Sequence, residues 1–315
     1  MSVPRADFGA AYLAATGIVL LIGGQTSATA DTAAVDLFNP AGIPIKPAAP
    51  MSAPRSAFTA TALPNGKVLV AGGISRPGGP ALATAELYDP IANIWSAAPS
   101  MAQAREHHSA ILMTNGKVFV AGGDGGIGGT DPSSFEIYDP LTNTWSGTQP
   151  FYGKRPNGPV VVQLGTGNVW IYGGTDVILP GNQEEFYDPT TGGQDQPGGM
   201  PDTIDFATAV VLNDQNVLVA GGIAAYQPGG ALNTSQVGQP LSWLAHPLMI
   251  AGHCRHTMTL LRSGRVLVAG GRCATSDSIA VAEIYEPIGR KWFLVAPMQT
   301  ARGYHTAVQL QDGRV

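Results

Sequence analysis

The chain has 315 residues, a formal net charge of −5 and only 12% charged residues, about half the ~25% of an average domain. That balance excludes a nucleic-acid binder, which needs clustered Lys and Arg to hold phosphates, and 44% hydrophobic residues exclude a disordered chain. The 41 Gly and 25 Pro call for many tight turns between short strands, and no internal apolar run is long enough to cross a bilayer as a helix.

In chain order, the first feature to place is the apolar stretch 10–24, followed by Ala28-Thr29-Ala30, which matches a signal-peptidase site. The register of the chain argues for a different reading. Met1-Ser2-Val3-Pro4-Arg5-Ala6-Asp7-Phe8 aligns with Met51-Ser52-Ala53-Pro54-Arg55-Ser56-Ala57-Phe58 without a gap. Gly17-Ile18-Val19-Leu20-Leu21-Ile22-Gly23-Gly24 aligns with Gly66-Lys67-Val68-Leu69-Val70-Ala71-Gly72-Gly73, one residue out of phase with the first match. A cleavable signal has no reason to copy the next fifty residues, so this segment reads as a first repeat.

Glycine doublets begin at Gly23, Gly72, Gly122, Gly173, Gly221 and Gly270, spaced by 49, 50, 51, 48 and 49 residues, a regular structural period. Short apolar runs such as Val68-Leu69-Val70-Ala71 and Val118-Phe119-Val120-Ala121 precede the doublets and predict strands buried on both faces. Ahead of them, Asn65-Gly66, Asn115-Gly116, Ser263-Gly264 and Asp312-Gly313 predict two-residue hairpin turns. About fifteen residues past each doublet comes an aromatic, an acid and a proline, as in Tyr88-Asp89-Pro90, Tyr138-Asp139-Pro140, Tyr187-Asp188-Pro189 and Tyr285-Glu286-Pro287. There the proline ends a third strand and the acid closes an Asx turn. Trp95, Trp145, Trp243 and Trp292 mark a fourth strand, with a ring large enough to pack between neighbouring blades.

Four antiparallel strands per repeat make a propeller blade. The expected fold is all-β, with six four-stranded blades plus the start of a seventh repeat in a single domain over 1–315. The repeats run approximately 1–50, 51–100, 101–153, 154–204, 205–252 and 253–300, with a partial copy at 301–315. Blades one and four lack the Trp and blade five lacks the Tyr-Asp-Pro element, so these should be the least regular. Both ends look cut from an array, which suggests a fragment or a ring with a strand to spare.

The doublet, spaced Tyr and Trp resemble the Kelch repeat across the whole chain. In Kelch-like propellers the first strand of each blade lines the central channel. That would gather His107, His108, His253, His256 and His305 near one channel mouth, where imidazoles can bind Cu or Zn. His108, His256 and His305 recur at one repeat position, three residues after Arg105, His253 and Arg302, and the repetition favours a scaffold role through hydrogen bonds between blades. Separately, Ala301-Arg302-Gly303-Tyr304-His305 is similar to the segment that presents a copper-ligand Tyr in galactose oxidase-like copper-radical oxidases. Their ligand Tyr is cross-linked to a Cys on the preceding blade. Cys254 precedes Tyr304 by fifty residues, but counted from the doublets Arg255 is the counterpart of Tyr304, and a one-residue slip turns a side chain to the opposite face.

The two cysteines have two open readings. A two-residue turn at Ser263-Gly264 makes cross-strand partners sum to 527, as 254 and 273 do, and places Cys254 within disulfide reach of Cys273. The alternative is a pair of free buried thiols. A disulfide leans toward an exported protein.

No nucleophile elbow, Walker or dinucleotide glycine motif is present, and no catalytic residue is assigned. The leading expectation is a non-catalytic binding or scaffold propeller for protein or carbohydrate, with no cofactor. The loops 74–82, 124–134, 175–184, 223–233 and 272–278 vary most, and variable loops on a rigid scaffold carry recognition. Arg76, Asp124, Asp131, Asp176, Tyr226 and Arg272 are the binding candidates. The alternative is a copper-dependent oxidase propeller or a piece of one, with Tyr304, His305, His256, His107 and His108 as candidate ligands.

Overall fold

The computed structural model describes residues 4–39, 41, 43–45, 48–153, 155–156, 158–174, 184–195, 204–224, 230–239, 242–245, 247–272 and 277–315. They are all-β, and no helix is long and apolar enough to cross a membrane. Six antiparallel blade sheets follow one another along a six-bladed propeller chain. They fall into two compact units, residues 1–156 with Leu310–Val315, and Asn157–Gln309.

In the first unit, blade one has three strands, Gly9–Leu13, Ile18–Ile22 and Val35–Phe38. Blade two has Thr59–Ala62, Val68–Ala71, Ala85–Asp89 and Ile94–Ala98. Blade three has Ser109–Leu112, Val118–Ala121, Ser134–Asp139 and Thr144–Trp145. The second unit holds blade four, opening with Val160–Gln163 and Val169–Tyr172, blade five, opening with Thr208–Val211 and Val217–Ala220, and blade six, opening with Thr257–Leu260 and Val266–Ala269. Each of these three also has four strands. Among the described residues, only the first of the blades expected to be irregular falls short of four strands.

The second strand is the core of every blade. Val68–Ala71, Val118–Ala121, Val169–Tyr172 and Val217–Ala220 are buried at all four positions, so their apolar runs need no alternation. The glycine doublet that follows is the joint to the next blade. Gly73 N–H donates to Arg105 O (2.9 Å), Gly123 N–H to Arg155 O (3.0 Å) and Gly222 N–H to His253 O (2.6 Å). At Gly72 φ is +69°, and a Cβ built there meets Arg105 O at 2.5 Å. Only glycine allows the blades to approach this closely.

The hairpin turns differ from expectation. Leu63 N–H donates to Lys67 O (2.8 Å) while Ala62 pairs with Val68, so three residues form the loop and Gly66, at φ +81°, takes the left-handed third place. Blade six follows the same rule: Leu260 pairs with Val266, and partners sum to 526. Cys254 therefore lies opposite Arg272, whose N–H donates to Cys254 O (2.9 Å). Blade one pairs Leu13 with Ile18 across a four-residue loop, which accounts for the one-residue phase slip in its sequence.

A buried ion pair braces the repeat. Arg105 donates to Gly122 O (2.8 Å), Ser134 O (3.0 Å) and Glu136 Oε1 (3.0 Å). Glu136 in turn accepts the N–H groups of Ala102 (2.7 Å) and Gln103 (3.1 Å). The Arg thus ties the second and third strands to the segment leading into its own blade. Arg55 with Glu86 and Arg5 with Asp36 repeat the device. In blade six His253 replaces the Arg, with Nδ1 2.7 Å from Gly270 O and Nε2 3.1 Å from Glu283 Oε1.

The aromatic pair fixes the outer strands. Tyr88 and Trp95 lie 5.0 Å apart, Tyr138 and Trp145 5.2 Å, and Tyr285 and Trp292 5.1 Å. Trp95 Nε1–H reaches back to Ala49 O (2.8 Å) and Trp145 Nε1–H to Pro99 O (2.8 Å), fastening each blade to the linker before it. Asp89 Oδ1 accepts Ile91 N–H (3.0 Å), the expected Asx turn.

The start of a seventh repeat is not confirmed as a blade. No strand is formed over 301–315, although Leu310 N–H donates to Arg314 O (2.8 Å) with Gly313 at φ +90°, as in the other repeat turns.

Candidate functional site

Just ahead of the first strand of blades one, two, three, five and six, a non-glycine residue holds φ between 48° and 57°: Asp7, Ala57 and His107 in the first unit, Phe206 and Arg255 in the second. Tyr304 takes the same conformation in the partial copy, and blade four has Gly158 in this place at φ +61°. Such left-handed residues are uncommon and persist only where neighbours over-determine them. Here the determinant is a backbone relay between blades. Ala57 N–H donates to Asp7 O (3.0 Å) and His107 N–H to Ala57 O (2.9 Å). In the second unit, Arg255 N–H donates to Phe206 O (3.2 Å) and Tyr304 N–H to Arg255 O (3.3 Å).

These lead-in side chains all keep some solvent exposure, whereas Phe58, His108 and His256, each one residue later, are buried. The histidines of this column are inter-blade pins. Thr59 Oγ1 lies 2.9 Å from His108 Nε2, Thr208 Oγ1 2.6 Å from His256 Nε2, and Thr257 Oγ1 3.2 Å from His305 Nε2. Burial pushes His108 and His256 down to about 3 and His305 to about 4, so all three are neutral near pH 7. The scaffold role read from their repetition is the one they occupy.

In the first unit the lead-in region is acidic. Glu106 bridges to Asp124 through the backbone, and its carboxyl is pushed up to about 7 by burial and by the charges of Asp124, Asp7 and Asp31. His107 Nδ1 stands 3.4 Å from Glu106 Oε2. Asp31 accepts Ser56 Oγ–H (3.0 Å), yet burial still raises its pKa. In the second unit the region is aromatic and cationic: the Arg255 guanidinium lies 3.6 Å from the Phe206 ring centroid and 4.9 Å from that of Tyr304.

Among the sequence candidates, Arg76, Asp131 and Arg272 are exposed and Asp124 is half-buried. The loops of Arg76 and Asp124 meet, with Pro80 bridged to Gly126 and Ala81 N–H donating to Gly125 O (3.3 Å). Asp176 and Tyr226 lie outside the described residues, as does Cys273. Cys254 is buried and disulfide-bonded. Of the weak metal candidates, His108, His256 and His305 are the inter-blade pins, Tyr304 stacks on Arg255, and His107 is exposed beside Glu106. No three His, Cys, Asp or Glu side chains converge on a metal-holding point among the described residues.

Sequence reasoning missed Asp7, Asp31, Glu106, Phe206 and the role of Arg255. The signal available was the repeat column one residue before the recurring Phe or His, whose members differ from blade to blade.

The Kelch motif matches residues 54–102 and 107–150. With the repeat period and the blade topology, this supports a Kelch-repeat β-propeller fold. Among solved structures it is similar to a fungal alcohol oxidase of the AA5 family in complex with copper (TM-score 0.78, 18% identity, covering 99% of this chain and 69% of that one). It is also similar to YjhT (TM-score 0.67, 18% identity, covering 93% of this chain and 98% of that one). These likenesses carry the fold alone. No curated protein matches the sequence.

Proposed function

We propose that the chain is a binding propeller whose ligand, a protein or a carbohydrate, docks on the lead-in residues and the loops after the doublets. One observation carries this reading. Scaffold columns repeat (Arg5, Arg55, Arg105; His108, His256, His305), while the partly exposed column beside them changes chemistry at nearly every blade (Asp7, Ala57, His107, Phe206, Arg255, Tyr304). Structural need explains the constant columns, and a varied set of side chains held in left-handed backbone suits recognition. The test is binding of the whole chain to panels of immobilised glycans and peptides, repeated with Arg76→Ala, Asp124→Asn, Asp131→Ala and Arg272→Ala. Loss of a hit on substitution supports the face, and a hit indifferent to all four variants removes it.

A second reading, an oxidase-type propeller or part of one, draws on the likeness to the copper-bound alcohol oxidase and on Tyr304-His305. Its weakness is that His305 Nε2 is engaged by Thr257 (3.2 Å) and Tyr304 by Arg255. Copper titration followed by visible absorbance tests it: a saturable copper-dependent band supports the reading, and an unchanged spectrum ends it.

A further inference from the structure

We propose that Arg255 anchors a carboxylate-binding subsite in the second unit, taking an acidic group of the ligand edge-on in its guanidinium plane. The inference rests on the binding reading above and names the chemistry of one part of that ligand.

Arg255 differs from the arginines that serve the scaffold. Arg5, Arg55 and Arg105 are buried, and each meets a carboxylate of its own blade. Arg255 is half-buried, with aromatic rings at 3.6 and 4.9 Å from its central carbon, and among the described residues the N–H groups of its guanidinium meet no acceptor. Stacking engages the faces of a guanidinium and leaves its rim of donors unused. The two rings also restrict the side chain before any ligand arrives, which removes part of the ordering cost of binding.

The backbone adds a second cation. Arg272 lies opposite Cys254, the residue before Arg255, through its N–H to Cys254 O (2.9 Å). Its own side chain is exposed. Gly303, the residue before Tyr304, carries no side chain where a Cβ would run into Arg272, so the chain makes room for this arginine beside the stacked tyrosine. A planar, bidentate fork, with a second arginine on the adjoining backbone, matches a carboxylate better than any neutral polar group. The lead-in residues of the first unit, Asp7, Ala57 and His107, include no arginine to offer such a ligand a counterpart.

A carboxylate can come from a small acid or from the side chains of an acidic protein segment, so the test has both arms. The whole chain is titrated calorimetrically at neutral pH and low chloride with sodium glucuronate, with an acetylated glutamate-rich peptide, and with glucose as the uncharged control. At least one carboxylate probe should bind saturably, and Arg255→Gln should weaken it roughly tenfold or more. Arg255→Lys, which keeps the charge but not the fork, should fall in between, and Arg272→Gln, which leaves the stack intact, should cost a few-fold. The proposal is overturned if neither carboxylate binds, or if Arg255→Gln in a folded protein binds as the parent does. Glucose binding that Asp124→Asn abolishes and Arg255→Gln leaves untouched would sink this subsite while sparing the docking face.

Discussion

His108 of blade three reaches Thr59 of blade two at 2.9 Å, and one blade earlier the same joint is built from different parts. There Phe58 faces Gly9, where a Cβ would meet the Phe58 ring at 2.6 Å. A hydrogen-bonded His–Thr pin and an apolar Phe–Gly pin thus fill equivalent places between blades. Putting Phe at position 108 alone should overpack against Thr59 and cost about 1–3 kcal/mol, whereas Thr59→Gly with His108→Phe should recover much of that loss. Urea denaturation of both variants checks the exchange, and a double variant no better than the single would show that the joints are not equivalent.

Arg105→Met should be among the most destabilising single changes in the first unit. It leaves Glu136 buried with only the two backbone N–H donors of Ala102 and Gln103. Removing one partner of a buried pair costs about 3–5 kcal/mol, and removing both costs less. Arg105→Met with Glu136→Met should therefore unfold at a higher urea concentration than Arg105→Met alone.

Stability should fall as pH drops below the ordinary histidine range. Burial holds His108 and His256 at about 3 in the folded chain, so the unfolded chain binds more protons between that value and 6.5. Each histidine then contributes stability that is full above pH 6.5 and decreases on acidification, by up to roughly 3 kcal/mol at pH 4. Glu106 acts in the opposite sense. Its carboxyl is raised to about 7, so its contribution is favourable below about 4.5 and is lost as pH rises toward 7. Glu106→Gln should stabilise the protein at pH 8 by about 1–2 kcal/mol, after allowance for solvent screening, and leave it nearly unchanged at pH 4. Denaturation midpoints of parent and variant at the two pH values provide the comparison.

The native protein should show no reactive thiol before reduction and two after it, since Cys254 is disulfide-bonded and the chain has only two cysteines. Closing a loop of this size is worth about 3 kcal/mol on the chain-entropy account. Cys254→Ser should accordingly lower the urea midpoint, and free thiol in the unreduced parent would contradict the bond.

Much of the architecture was legible in the chain because each structural device recurs every fifty residues or so. The doublets, the Tyr-Asp-Pro turns and the Trp column state the blade, and the repeated His column states its own scaffold role. The turn length was not legible. Asn65-Gly66 serves a two-residue loop as readily as the last two places of a three-residue one, and only the pairing of Ala62 with Val68 decides between them. That single residue moves Cys254 from opposite Cys273 to opposite Arg272.

The candidate site was the least legible part, for a related reason. Glu106 and Asp124 are eighteen residues apart in sequence, and Phe206, Arg255 and Tyr304 belong to separate repeats. A charge on one blade perturbs a carboxyl on another only once the blades are packed, and a guanidinium becomes a fixed donor rim only when two distant rings close on it. The sequence by itself determined the period, the blade and the buried pins, because those follow from local spacing and burial. The tertiary structure alone decided which lead-in residues share a surface and how they tune one another, because those couplings arise from proximity between blades.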